Sequence, residues 1–160
     1  MRIDDYNNIN YKEYEWKSGS MKFKAPSTWK EVSRDNSSIT LLDDAEGRTM
    51  VVSFALKSSL KNEYGQILNA KEFGNYLYDI SKKEPGVVMN GNDAKNIKRG
   101  KWAGVTFSYT ATVEDEKYAH SVYVINAGEK YLVVQLSDDE LTNGTRTKEI
   151  FNSILESIEC

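Results

Sequence analysis

Short runs of alternating apolar and polar residues recur along this chain and predict a protein built mostly of strands. MKFKA sets Met21, Phe23 and Ala25 on one side and Lys22 and Lys24 on the other, as in a half-buried strand. Pro26 ends it, and Ser27 and Thr28 turn the chain into Trp29. Upstream, YKEYEW is a possible first strand with Tyr14 and Trp16 on one face. A strand from Ile39 to Leu42 and the turn DDAEGR lead into TMVVSFAL, which aligns Met50, Val52, Phe54 and Leu56. Another strand starts at Val87, and Asn90-Gly91-Asn92-Asp93 marks a turn or irregularity before the tight turn at Arg99-Gly100. From Trp102 to Val113 the alternation is sustained. Val105, Phe107, Tyr109, Ala111 and Val113 oppose Thr106, Ser108, Thr110 and Thr112, and threonine suits an open strand face. Tyr118 to Asn126 and Lys130 to Leu136 complete the set, joined by the polar loop Glu114 to Lys117 and by Ala127-Gly128-Glu129. Turns this short require an antiparallel meander.

The period lengthens to that of a helix twice. In NAKEFGNYLYDISKKE, Asn69 is the N-cap and Glu72 completes a capping box. Phe73, Tyr76, Leu77 and Ile80 form the apolar face. Lys82 and Lys83 suit the negative end of the helix dipole, and Pro85-Gly86 stops the helix. A second helix from about Arg146 to Glu159 carries Ile150, Phe151, Ile154, Leu155 and Ile158. Helices at the middle and end of a strand-rich chain give an α+β class, an antiparallel sheet flanked by helices. No linker or repeat interrupts it. Residues 1–19 read as a lead-in with a possible first strand, and residues 20–160 as one domain.

The order of these features resembles the PsbP-like fold, shared by the photosystem PsbP proteins, the Mog-type Ran-binding proteins and bacterial DcrB-like proteins. MKFKAPSTWKEV resembles the family's early strand, proline and tryptophan. KRGKWAGVTFSYT resembles its glycine turn and long strand, and YLVVQLS followed by KEIFNSILESIE its last strand and closing helix. The likeness runs over roughly residues 20–159 and implies an α/β/α sandwich. It also implies a scaffold usually used for non-enzymatic binding, assembly or adaptor work. No motif carries over a Ran-binding surface, and a photosystem role lacks support. Function does not follow from fold.

Composition narrows the functional classes. The net charge is −3, and the arginines, at positions 2, 34, 48, 99 and 146, are dispersed. A nucleic-acid footprint calls for clustered basic residues, so none is expected. No apolar run approaches the roughly 20 residues of a membrane-spanning helix. Cys160 is the sole cysteine and His120 the sole histidine, too few for the usual zinc ligand set or a thiolate cluster. His120 alternates with Tyr118, Val122 and Val124, and reads as a strand residue bonded to a neighbour rather than a catalytic base. Neither a nucleophile elbow nor a phosphate-binding loop is present. The acidic clusters Asp43, Asp44 and Glu46, Glu114 to Glu116, and Asp138 to Glu140 lack the EF-hand pattern. They read as solvated turns or a helix start, with Ser137 and Glu140 at capping-box spacing. No catalytic residue, metal ligand or cofactor is therefore expected.

Partner contacts remain. Aromatic residues anchor interfaces, which singles out Tyr11, Tyr14 and Trp16, and the basic stretch adds Lys98, Arg99, Lys101 and Trp102. Core packing competes with this for Tyr14 and Trp16, and a solvated hairpin tip competes for the lysines. The leading reading is a non-catalytic bacterial binding or adaptor protein at the cell envelope, secreted or lipid-anchored through a signal upstream of this chain, with a protein partner. The alternative is a cytoplasmic interaction partner such as an immunity protein or effector chaperone. A small hydrolase with an unrecognised carboxylate site ranks third.

Overall fold

The computed structural model describes residues 9–139 and 144–160. Strand β1 (Tyr11–Trp16) pairs antiparallel with β2 (Met21–Pro26) in a small two-stranded sheet. Then come β3 (Lys30–Arg34), β4 (Ser38–Asp43), β5 (Arg48–Leu56) and helix α1 (Ala70–Lys82). Next are β6 (Val87–Arg99), β7 (Trp102–Val113), β8 (Glu116–Ala127), β9 (Lys130–Asp139) and helix α2 (Thr145–Ser157). Strands β3 to β9 form one seven-stranded sheet in the order β3-β4-β5-β9-β8-β7-β6. All of its pairings are antiparallel. The expected meander of three strands extends to four, and β9 closes the sheet by pairing with β5.

Alternation assigns the faces. Ile39, Leu41, Met50, Val52, Leu132, Val134 and Leu136 point to one side, with Ile125 and Trp102 beside them, and all are buried. The β1–β2 hairpin covers them with Trp16, Met21 and Phe23, and α2 with Ile150, Ile154, Leu155 and Ile158. Each such aliphatic side chain removed from water stabilises the fold by about 1.5–3 kcal/mol before entropy is counted. The end of the chain clips onto β2: Lys22 N–H donates to Glu159 O (2.9 Å), and Glu159 N–H donates to Lys22 O (2.8 Å). Along β5 the apolar phase runs out early. Phe54 is half-buried and Leu56 exposed, because the strand passes the end of its cover there.

Helix α1 covers the opposite face over β6, β7 and β8. Its capping box forms as expected, Asn69 Oδ1 accepting from Glu72 N–H (2.8 Å) and Glu72 Oε1 from Asn69 N–H (3.0 Å). Its buried face differs from the periodicity reading. Phe73, Gly74 and Tyr78 are buried, whereas Tyr76 and Ile80 are exposed. Gly74 is the physical reason. A Cβ there would lie 2.5 Å from Val105 Cγ2 and 3.2 Å from Ala94 Cβ, so the helix seats on its glycine. The contact stripe accordingly runs through 73, 74 and 78.

The irregularity at Asn90–Asp93 is a bulge inside one continuous strand, with a register shift between Asn90 and Lys95. Side chains of α1 satisfy the backbone groups it frees. Tyr78 Oη donates to Gly91 O (2.7 Å), and Asn75 Oδ1 accepts from Ala94 N–H (2.8 Å). The loop read as Glu114 to Lys117 is tighter, a two-residue turn with positive φ at Glu114 (51°) and Asp115 (69°), as a primed hairpin turn requires. Gly100 (φ 51°) makes the β6–β7 hairpin tip, and a Cβ there would meet Glu156 O at 2.6 Å. The tip therefore rests against the C-terminal end of α2.

Candidate functional site

The seven residues expected to contact a partner separate into two sets. Tyr14, Trp16 and Trp102 are 4%, 1% and 3% exposed, so none presents a ring to solvent. Tyr14 stacks on Phe23 at 5.2 Å. Trp16 Nε1–H donates to Asp35 O (3.1 Å), and Trp102 Nε1–H donates to Leu155 O (2.7 Å). These rings are large apolar anchors whose one polar atom finds a backbone partner, which is why they belong to the core. Lys98 and Lys101 are exposed, and Tyr11 and Arg99 are partly so. Lys101 Nζ pairs with Glu159 (2.6 Å), which raises the lysine pKa and holds the carboxyl below its usual range. Around the C-terminal end of α2, Glu13, Lys24, Lys101, Glu156 and Glu159 line a hollow of about 240 Å³. Tertiary packing thus brings β1 and the hairpin tip, remote in sequence, to one place.

His120 is bonded to its neighbours, as read from the alternation. Its Nδ1 lies 2.6 Å from Ser137 Oγ and 3.2 Å from Gln135 Nε2, and its ring lies 4.9 Å from that of Tyr109. Burial lowers its pKa. The Ser137 contact superficially resembles a nucleophile–base pair. Among the described residues, however, no carboxylate bonds the ring to orient it as a triad requires.

A buried charge cluster escaped the sequence reading. Asp43 and Asp138, expected in solvated turns or a helix start, are buried. Arg48 NH1 lies 3.2 Å from Asp43 Oδ2, and Arg48 Nε lies 3.6 Å from Asp138 Oδ2. Arg48 Nε–H donates to Thr147 Oγ1 (2.9 Å), whose hydroxyl donates to Asp138 Oδ2 (2.6 Å). The cluster ties β4, β5 and β9 to the first turn of α2. Strand parity contained the signal. Asp43 is in phase with Ile39 and Leu41, Arg48 with Met50 and Val52, and Asp138 with Leu132, Val134 and Leu136. Glu140, and with it the capping box expected with Ser137, lies outside the described residues, and Ser137 itself is within β9.

A recess lies between α2 and the β6–β8 part of the sheet, with a volume of about 440 Å³. Its floor is Asn90, Ser108, Ala119, Ser121 and Tyr123, and its wall is Lys148, Phe151 and Asn152 of α2. Tyr109 and His120 border it along their strands, while their rings meet Gln135 on the α1 side. Asn90 Nδ2–H donates to Ser108 Oγ (3.1 Å). Burial raises the pKa of Tyr123, partly offset by the neighbouring Ser121 hydroxyl. This lining offers hydroxyls, amides, two aromatic rings and one ammonium, a set able to bind a polar small molecule. Among the described residues no group of three ligating side chains can hold a metal ion, and no helix is long and apolar enough to cross a membrane.

No family model and no curated protein matches the sequence. Solved structures do match. Cyanobacterial PsbP (CyanoP) from Synechocystis is 19% identical with a TM-score of 0.63, covering 95% of this chain and 93% of its own. LpqN of Mycobacterium tuberculosis, involved in cell envelope biogenesis, is 18% identical with a TM-score of 0.57, covering 99% and 96%. A Bacteroides thetaiotaomicron protein is 12% identical with a TM-score of 0.63 over 93% of this chain, which spans 48% of that protein's length. Identities this low speak to architecture alone. With its antiparallel sheet between helices on both faces, this chain has the PsbP-like fold.

Proposed function

We propose that this protein is a non-catalytic binding or adaptor protein of the bacterial cell envelope, secreted or lipid-anchored, that docks a protein partner at the C-terminal end of α2. The observation that carries the reading is the convergence there of Glu13, Lys24, Lys101, Glu156 and Glu159 around one hollow. Interspersed charges of both signs suit a protein surface of complementary pattern and disfavour a phosphate backbone. Lys98 and Arg99 extend the surface from the hairpin tip. The likeness to LpqN supports the envelope location, and the retracted, bonded His120 ring supports a role without catalysis.

The test combines fractionation of the source cells with a photo-crosslinking residue placed at Lys98, at Glu13 or, as a control, at Thr40 on the far side of the sheet. The expected result is an envelope fraction in which one protein is crosslinked from Lys98 and Glu13 and not from Thr40. A cytoplasmic fraction overturns the location, and equal adducts from all three positions overturn the surface.

A further inference from the structure

We propose that the recess between α2 and the β6–β8 part of the sheet binds a pyranose sugar bearing a carboxylate, either free or as a unit of an acidic glycan. Shape is the first reason. Ser108, Ala119 and Ser121 are small and lower the floor beside Tyr123, while Phe151 stands in the wall. The resulting volume of about 440 Å³ falls within the roughly 300–1,000 Å³ of small-molecule sites.

Hydrogen-bonding capacity is the second reason. Asn90 commits one amide N–H to Ser108 and retains another N–H and its carbonyl oxygen. Among the described residues, the side chains of Asn152 and Lys148 have no hydrogen-bond partner. Neighbouring sugar hydroxyls, each both donor and acceptor, match such a set of amides and serine hydroxyls. Phe151 and Tyr123 supply apolar surface for the C–H face of a ring.

Charge is the third. The lining holds Lys148 and no carboxylate side chain. By strand parity Lys117 stands on the same sheet face as Ala119 and Ser121, two positions further toward the β7–β8 turn. A sugar carboxylate on Lys148 gains a charge-assisted hydrogen bond, and Asn152, one helical turn on, reaches the same side of the ligand. This site is separate from the protein-docking hollow at the other end of α2, so either reading can fail without the other.

The experiment is an amide-resolved NMR titration of the whole chain with methyl glucuronide, methyl glucoside, acetate and a galacturonate oligomer. Methyl glucuronide is expected to shift the amides of Ser108, Ser121 and Asn152 saturably, with methyl glucoside and acetate each at least about tenfold weaker. Lys148→Ala, on an exposed helix position that leaves the fold intact, is expected to weaken the glucuronide about tenfold or more. Ser121→Val, which fills the floor, is expected to abolish binding of both sugars. Tighter binding of the oligomer assigns the ligand to a glycan, and equal binding assigns it to a free sugar acid. Absence of saturable shifts at the recess overturns the proposal, as does acetate binding as tightly as the glucuronide or an unchanged affinity in Lys148→Ala.

Discussion

The sheet face beneath α2 has two halves that share one helix and one strand periodicity yet differ in kind. Over β4, β5 and β9 it is dry: Ile39, Leu41, Met50, Val52, Val134 and Leu136 are almost fully buried. Over β6, β7 and β8 it presents Asn90, Ser108, Ser121 and Tyr123 to a recess. The cover makes the difference. The dry half lies under both the β1–β2 hairpin and the apolar stripe of α2, whereas the recess is walled only by Lys148, Phe151 and Asn152 along one edge of α2. Alternation tells which residues share a face, but a face becomes core only where a second layer arrives to exclude water.

The largest expected effect tests the buried ions at the rim of the dry half. Arg48→Ala removes the guanidinium that lies between buried Asp43 and Asp138 and should cost about 3–5 kcal/mol in a urea denaturation. Within the dry half, Leu136→Ala opens a cavity and should cost about 2–5 kcal/mol by the same measurement. A loss below about 1 kcal/mol there would erase the distinction between the halves.

Between these extremes stands His120, polar but enclosed. Burial disfavours its charged form, so the folded protein takes up this proton less readily than the unfolded chain does. Its contribution to stability is therefore complete above about pH 6.5 and is lost as the pH falls through the lower folded pKa. His120→Gln should flatten that part of a stability–pH profile, and an unchanged slope would place the titration elsewhere. The smallest effect belongs to the open half, where Ser108→Ala should change stability by less than about 0.5 kcal/mol.

Several details show where reading from sequence succeeds and where it stops. The capping box at Asn69 and Glu72 is local chemistry over three residues, and it stands in the structure as expected. The stripe of α2 is largely legible: Ile150, Ile154, Leu155 and, just past the helix end, Ile158 bury, while Phe151 is only partly covered. The face of α1 is not, because Gly74 adds nothing to an apolar pattern but decides how closely the helix approaches Val105. Asp43 and Asp138 read as solvated because charge is ordinarily exposed. Their true environment depends on Arg48 and Thr147, which meet them only in three dimensions. Of the residues read as partner contacts, Lys98 and Lys101 are exposed, Lys101 in an ion pair with Glu159, while Tyr14, Trp16 and Trp102 are taken up by packing.

By itself, then, the sequence determined both helices, the α+β class and every strand but β3, whose uniformly exposed residues show no alternation, because these features follow from side-chain period and from turn and cap chemistry within a few residues. Tertiary structure alone decided that β9 returns to pair with β5, that Arg48 lies between two aspartates, and that serines on β7 and β8 form the floor of a recess walled by α2. Those outcomes join residues far apart in the chain, and no local pattern encodes which distant segment will cover a given face.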